Sequence, residues 1–354
     1  MPADRITSPT STAAASADEL LSAVRSVLAG AQLSEVADHH GLSAVDVENA
    51  VETYHHAGVE ALYGRAADAG WWQAHVEFTD WSQAEHVAAV HLAPHLQAWT
   101  NHGLLNRWWF IRKAPCWRLR LRPRAAAWED VRASAAALFD RLVEEGHLAT
   151  WRPTHYEPEV VPFGGPVGIA LAHDLFSADS INLLTYLQAD HKLLGKHELT
   201  LLLCTALFRA AGQEWFEAGD IWNRVVHLRP DPHHSSTDTG HHATLTQQLR
   251  TVLNYDTHPT GPLFGPQGLL ASKRSWAEAF HETGQALACA AEESNLQRGL
   301  RSILAHHVIF HWNRLGLHTT TQHALAHAAA TAVLHPRPTN SGAHPRGGDE
   351  EGAP

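Results

Sequence analysis

The stretch Trp108–Pro123, Trp-Trp-Phe-Ile-Arg-Lys-Ala-Pro-Cys-Trp-Arg-Leu-Arg-Leu-Arg-Pro, restricts the fold more than any other part of the chain. After Pro115 the side chains alternate without a break, with Trp117, Leu119 and Leu121 at one parity and Arg118, Arg120 and Arg122 at the other. Successive strand residues point to opposite sides of a sheet, so the pattern predicts a strand with one apolar and one cationic face. The upstream run Trp108–Arg112 supplies a hairpin partner across the turn Lys113-Ala114-Pro115. The row of arginines fits the solvated side of an antiparallel sheet. It also fits an anion-binding platform, since like charges repel and the guanidinium fork matches a carboxylate.

The flanking patterns build a sheet unit around this hairpin. Trp71–Phe78 alternates as a strand, and Ser82–His102 is helical in pattern except at Pro94, which predicts a kink. Ala125–Gly146 reads as a second helix and His147–Tyr156 as a closing strand. Strand, helix, strand, strand, helix, strand is the order of a ferredoxin-like unit, in which both helices cover one face. If Trp117, Leu119 and Leu121 pack under those helices, the arginines look out from the other face, which a further part of the chain covers to form a cleft. From Pro166 onward the periodicity is helical: Ser177–Leu194, Leu199–Ala211, Glu214–Leu228, Thr244–Leu253, Ser272–Cys289, Gln297–Leu315 and Thr320–Leu334. The predicted class is α+β, a ferredoxin-like antiparallel sheet unit followed by a largely helical half over residues 68–335.

Ahead of it, residues 19–64 form a small helical module: Leu20–Leu28, Leu33–His39 closed by Gly41, and Val45–Leu62 capped by Ser43. The unit resembles a helix-turn-helix. The helix in the recognition position, Val45–Leu62, carries Asp46, Glu48 and Glu52, which repel phosphate, so docking of a protein or peptide is expected there rather than a regulator's grip on DNA. Residues 1–18 and 336–354 read as disordered ends.

A formal charge of −11 argues against nucleic-acid binding over the whole surface. The three cysteines, Cys116, Cys204 and Cys289, are widely spaced, without a CxxC pair, as expected for reduced thiols. No stretch approaches the roughly 18 apolar residues of a membrane span, and the default compartment is the cytoplasm.

Among 29 histidines, spacing decides which can carry chemistry. His233, His234, His241 and His242 fall in the polar loop Arg229–His242, read as mobile and unsuited to a rigid metal centre, so no metal or other cofactor is expected. His307, His311 and Arg314 share a helix face at i, i+4 and i+7. They fit either a hydrogen-bonded core cluster or a general acid and base. Gly164 and Gly165, in Pro162-Phe163-Gly164-Gly165-Pro166, permit positive φ, in a plain turn or in close approach of a ligand backbone. There is no Gly-x-Ser-x-Gly elbow and no Gly-rich phosphate loop.

Several segments together resemble one family. Trp109-Phe110-Ile111-Arg112 followed by Arg118-Leu119-Arg120, the pair Gly164-Gly165, Leu175-Phe176-x-x-Asp179-Ser180, and a C-terminal helix ending Asn313-Arg314-Leu315-Gly316 are similar to the thiopeptide-type bacteriocin biosynthesis domain. That domain is the C-terminal, glutamate-eliminating part of class I lanthipeptide dehydratases, and the likeness covers roughly Trp71–Leu334. The resemblance implies work on a ribosomally made precursor peptide, leader and core, whose Ser or Thr a glutamyl-tRNA-dependent partner subunit has glutamylated. Removal of glutamate then leaves dehydroalanine or dehydrobutyrine.

By resemblance Arg118 and Arg120 match the family's paired arginines, and His311 or its neighbour His307 stands for the C-terminal catalytic histidine, although the usual His-Met-x-x-Asn-Arg would place that histidine at Ile309. Arg112, Arg122, Gly164, Gly165 and Arg314 are the expected substrate-binding residues. Tyr156–Phe163 lacks the arginine that elimination members carry before their Gly-Gly. Two alternatives therefore stay open: a pyridine synthase, which joins two dehydroalanines by a formal 4+2 cycloaddition and releases the leader, and a non-catalytic leader-binding partner of a dehydratase. A homodimer is left open, and neither DNA nor a membrane is an expected partner.

Overall fold

The computed structural model describes residues 16–68, 70–189, 192–231 and 239–334. The described residues divide into two compact units on either side of the step from Ala66 to Ala67. The tail expected from residue 336 lies outside the described residues, as does most of the N-terminal lead. Ala17 and Asp18, expected in that lead, belong to a helix.

The first unit is α1 (Ala17–Leu28), α2 (Leu33–His40) and α3 (Ala44–Asp68). A capping box opens α1: Ser16 Oγ accepts from Glu19 N at 3.2 Å, and the Glu19 carboxylate accepts from Ser16 N at 3.0 Å. Gly41 ends α2 at φ 64°, and Ser43 Oγ caps α3 by accepting from Asp46 N at 3.0 Å. Ala23, Val36, Ala37 and Val47 form its small core.

The second unit begins with β1 (Trp72–Phe78) and the broken helix α4 (Ala84–Val87) and α5 (Ala93–Asn101). The hairpin β2 (Leu105–Lys113) and β3 (Cys116–Pro123), α6 (Trp128–Glu144) and β4 (Leu148–Thr154) complete it. The sheet order is β2-β3-β1-β4 with every pairing antiparallel, the ferredoxin-like arrangement. The register sets Trp72 opposite Leu121, Ala74 opposite Leu119 and Val76 opposite Trp117, which makes the apolar face continuous. Phe139 of α6 stacks on Trp72 there at 6.3 Å between ring centroids.

Pro94 explains the break between α4 and α5. Residues Ala88–Leu92 form a wider π turn, in which Ala93 N bonds back to Ala88 O. Pro94 has no N–H to continue that pattern, and the carbonyl of Ala89 is instead met by Gln188 Nε2 at 2.6 Å.

The helical half comprises α7 (Pro166–Gln188), α8 (Lys196–Ala210), α9 (Trp215–Leu228), α10 (Thr239–Asn254), α11 (Arg274–Glu292), α12 (Leu300–Leu315) and α13 (Thr319–Leu334). α10 begins within the stretch expected as loop to His242, while residues 232–238, with His233 and His234, lie outside the described residues. Among the described residues no helix is long and apolar enough to cross a membrane.

α7 joins the halves by lying along the outer edge of β2. Ser177 Oγ donates to Trp108 O at 2.9 Å and accepts from Trp108 N at 3.4 Å. Ser180 Oγ accepts from Phe110 N at 3.2 Å, and Arg314 Nε of α12 donates to Phe110 O at 3.1 Å. Edge groups that would otherwise await another strand are thus bonded by side chains.

Candidate active site

The arginine face of the sheet opens as a groove of about 450 Å³. Strand parity builds it: Gln73 pairs with Arg120 and His75 with Arg118 across β1 and β3, so all of them point to one side. Tyr156 and Glu159, from the segment after β4, line the groove with them. Arg120 is only 7% exposed. Its guanidinium lies 4.0 Å from the Trp109 ring centroid and 4.6 Å from that of Tyr156.

Arg120 Nε donates to Gln73 Oε1 at 2.7 Å, and Gln73 is held in that orientation because its Nε2 donates to Thr154 Oγ1 at 2.7 Å and His155 O at 2.9 Å. Arg120 Nη1 is buried with no hydrogen-bond partner among the described residues. Burial pushes the Arg120 pKa down to about 10, which leaves it charged at neutral pH. No carboxylate among the described residues forms an ion pair with it, so the groove floor holds a desolvated cation with a free donor.

Tyr156 Oη and His173 Nε2 share a hydrogen bond of 2.7 Å beside this cation. Burial, reinforced by Arg122 and Arg120, lowers His173 to about 3, so its ring is neutral. His75 is held below an ordinary imidazole by partial burial and by the charges of Arg118, Arg152 and Arg120.

Behind the groove, Asp179 of α7 organises the helical half. It is 0% exposed and accepts from His311 Nδ1 at 2.8 Å, Trp276 Nε1 at 2.7 Å and Arg314 Nη1. Burial acts to raise its pKa, but His311 and Arg314 outweigh that and hold the carboxyl below its ordinary value. The Arg314 guanidinium sits 4.9 Å from the Phe176 centroid and 5.8 Å from that of Trp109. Trp109 therefore touches the cations of both halves, Arg120 and Arg314.

The structure distributes the remaining expected site residues as follows. Arg118 and Arg120 share the groove. Arg122 lines a separate open hollow of about 640 Å³ with Gly70 and Trp128, its guanidinium 5.9 Å from the Trp71 centroid. Arg112, expected on the substrate side, lies on the opposite face because it pairs with Trp117 and not with an arginine. There it is buried against Glu85, which also binds Lys196.

His307 and His311 do not line the groove. His311 is 2% exposed and its Nε2 has no hydrogen-bond partner among the described residues. His307, with both ring nitrogens likewise unpartnered, packs 5.0 Å from Phe163 and is pushed by burial down to about 3.

Gly164 and Gly165, at φ 84° and 94°, serve the close approach of the chain to itself. Gln297 N donates to Gly164 O at 3.0 Å, and a Cβ on Gly165 would stand 2.7 Å from Gln297 Cδ. The turn seats Phe163 edge-on against the stacked pair Phe176 and Phe310. Gly165→Ala is expected to cost about 1–3 kcal/mol for forcing an L side chain into left-handed backbone against a neighbour. Thermal unfolding of the variant beside the parent checks it.

Sequence reasoning missed Gln73, His75 and Tyr156 as groove residues and His173 as the buried partner of Tyr156, and gave Asp179 no role. For the first pair a signal existed: Gln73 and His75 are the polar parity of β1. The Tyr156–His173 and Asp179–His311 pairs come from segments brought together only by the fold.

The site thus lies on a ferredoxin-like sheet with a cationic groove, sealed along one edge by a helical half. The family model described as lantibiotic biosynthesis dehydratase C-term matches residues 71–333, and the chain belongs to that family. Among solved structures, the tRNA dependent lantibiotic dehydratase MibB from Microbispora sp. 107891 is similar at TM-score 0.54 and 19% identity, over 76% of this chain and 28% of that one. TsrL is similar at TM-score 0.51 and 17% identity, over 74% of this chain and 94% of its own. The pyridine synthase TbtD, from thiomuracin biosynthesis, gives 0.51 and 16%, over 75% of this chain and 97% of its own. This chain thus spans 28% of MibB. At these identities the likeness is one of fold. No curated protein matches the sequence.

Proposed function

We propose that the protein acts in the biosynthesis of a ribosomally made, modified peptide, removing glutamate from glutamylated Ser or Thr to leave dehydroalanine or dehydrobutyrine. One observation carries this reading: Arg120, a buried cation with an unpartnered Nη1, lies on the groove floor beside Arg118. In the elimination a base takes the α-proton, the C–H electron pair becomes the Cα=Cβ bond, and the Cβ–O bond breaks with its electrons leaving on the glutamate carboxylate. Arg118 and Arg120 stabilise the enolate and the departing carboxylate.

The base in this proposal is His75, which of the two histidines lining the groove, His75 and His155, is the one across the strand pair from Arg118. Arg152 Nη2 donates to its Nδ1 at 3.3 Å, a long and exposed contact that yields when the ring takes a proton. His307 and His311, the imidazoles implied by the family resemblance, stand one layer behind, with Asp179 holding His311. The precursor peptide and a glutamylating subunit are the partners this reading requires, and the first unit is the proposed place for docking one of them.

The pH profile tests the base. A base works deprotonated, so activity falls as pH drops through its pKa; with His75 lowered, the acid limb of kcat/KM is expected below the 6.5 of an ordinary imidazole. His75→Ala is expected to remove that limb and lower kcat by about 10²–10⁴. If instead His311→Ala abolishes turnover while His75→Ala leaves rate and profile intact, the base belongs to α12.

The second reading, a pyridine synthase, is favoured by Glu157 and Glu159 in the groove wall, which repel a glutamyl carboxylate but not an uncharged bis-dehydroalanine. There Tyr156 and neutral His173 would move the protons of ring closure and aromatisation. Mass spectrometry of precursor peptides separates the readings. Loss of glutamate from a glutamylated peptide supports elimination; leader loss with a new ring chromophore from a dehydroalanine-containing peptide supports the synthase. No change in either supports a leader-binding partner.

A further inference from the structure

The helical layer of the sheet unit brings three metal-ligand side chains together, well away from the groove. His91 comes from the π turn between α4 and α5, and Glu145 and His147 from the end of α6. One ligand atom of each lies within 4.8 Å of the others. The two imidazole rings are 4.1 Å apart at their centroids, and His147 Nε2 is 3.9 Å from Glu145 Oε2.

Both backbones are fixed by bonds that owe nothing to a ligand. The π turn is held where Gln188 Nε2 reaches Ala89 O at 2.6 Å. α6 ends at Gly146, φ 78°, with Gly146 N bonded to Val143 O at 3.0 Å and His147 N to Leu142 O at 2.9 Å. Thr79 N then donates to His147 O at 3.3 Å, tying this turn to the end of β1. That left-handed turn leaves Glu145 and His147 free to face His91 together.

We infer that His91, Glu145 and His147 form a binding site for a divalent cation of borderline softness, zinc foremost, which staples the π turn to the end of α6. Two imidazoles and one carboxylate are a common zinc donor set, with water completing the tetrahedron. Zinc–ligand bonds of about 2.0–2.2 Å put tetrahedral ligand atoms roughly 3.3–3.5 Å apart. The three side chains are partly or wholly exposed, so small rotations close the difference. Outer contacts already orient the carboxylate: Arg141 Nε lies 3.8 Å from Glu145 Oε1, leaving Oε2 turned to His147. The sequence hides the site because its donors come from separate elements and carry no ligand spacing.

The test is equilibrium dialysis of the untagged full chain against micromolar zinc chloride, with metal analysis and thermal unfolding. The parent is expected to take up one zinc per chain more than the double variant His91→Ala, His147→Ala, and to unfold about 3–6 °C higher with zinc in hundredfold excess over its Kd. Glu145→Gln, an exposed change that leaves the fold undisturbed, is expected to weaken uptake at least tenfold. Equal uptake and equal thermal response in parent and both variants would overturn the site, as would a parent that binds no zinc at these concentrations.

Discussion

Asp179→Asn is expected to destabilise the protein by about 3–5 kcal/mol, the largest loss from any single conservative change in the site. The amide fills the same space but removes the only countercharge bonded to buried Arg314 among the described residues, and with one oxygen in place of two it can accept from His311 Nδ1 or from Trp276 Nε1 while its NH2 faces the other donor. The cost is that of a guanidinium stranded at 1% exposure rather than of one missing hydrogen bond. Urea or thermal unfolding measures it directly.

The pH dependence carries the sign. The folded Asp179 carboxyl lies below its ordinary value, so its stabilisation is complete above the unfolded carboxylate range of about 4 and is lost as pH falls through the folded value. Parent and variant should therefore differ fully at neutral pH and converge in acid. A gap that persists unchanged at pH 2 would mean that the charge of Asp179 is not what the core depends on.

Arg120→Met should separate activity from stability. Arg120 is buried over two aromatic rings and has no ion pair among the described residues, so an apolar side chain of similar length keeps the packing on Trp109 and Tyr156 while removing an expensive cation. Replacing such charges is often neutral or stabilising. The one cost is Gln73 Oε1, which loses its donor. Stability is expected to stay within about 1 kcal/mol of the parent. Under the proposed elimination, turnover is expected to fall by about 10²–10³, the usual effect of removing one donor to a developing anion, with glutamylated peptide accumulating. Arg120→Lys should rescue little, because an ammonium cannot span the indole and phenol faces as the flat guanidinium does. A large loss of stability in Arg120→Met with turnover retained would make Arg120 a structural residue.

Parity along Cys116–Arg122 was enough to predict which residues share a face, because a strand of period two leaves no freedom there, but not that Arg122 would line a hollow apart from Arg118 and Arg120. The same rule misplaces Arg112 only if it is grouped with the other arginines by motif; the hairpin register sets it opposite Trp117, on the apolar side. The kink at Pro94 was legible from the missing N–H, but not the π turn before it, whose orphaned carbonyl is answered by Gln188 at the far end of α7. The seat of His311 was illegible for the same reason. A helix face shows that His307, His311 and Arg314 are neighbours, yet nothing in local spacing names the carboxylate on α7 that receives two of them. α10 begins earlier than its apolar period, since its first turn is polar and periodicity is silent there.

Ser177 and Ser180 close the rim of β2 with two hydroxyl groups spaced one turn apart on α7. A strand bordered this way offers no template: neither the same strand of another molecule nor the extended backbone of a guest peptide can zip onto it. On that side the sheet is finished, and a peptide arriving at the arginine face must be held by what its residues carry rather than by its own main chain growing the sheet past β2.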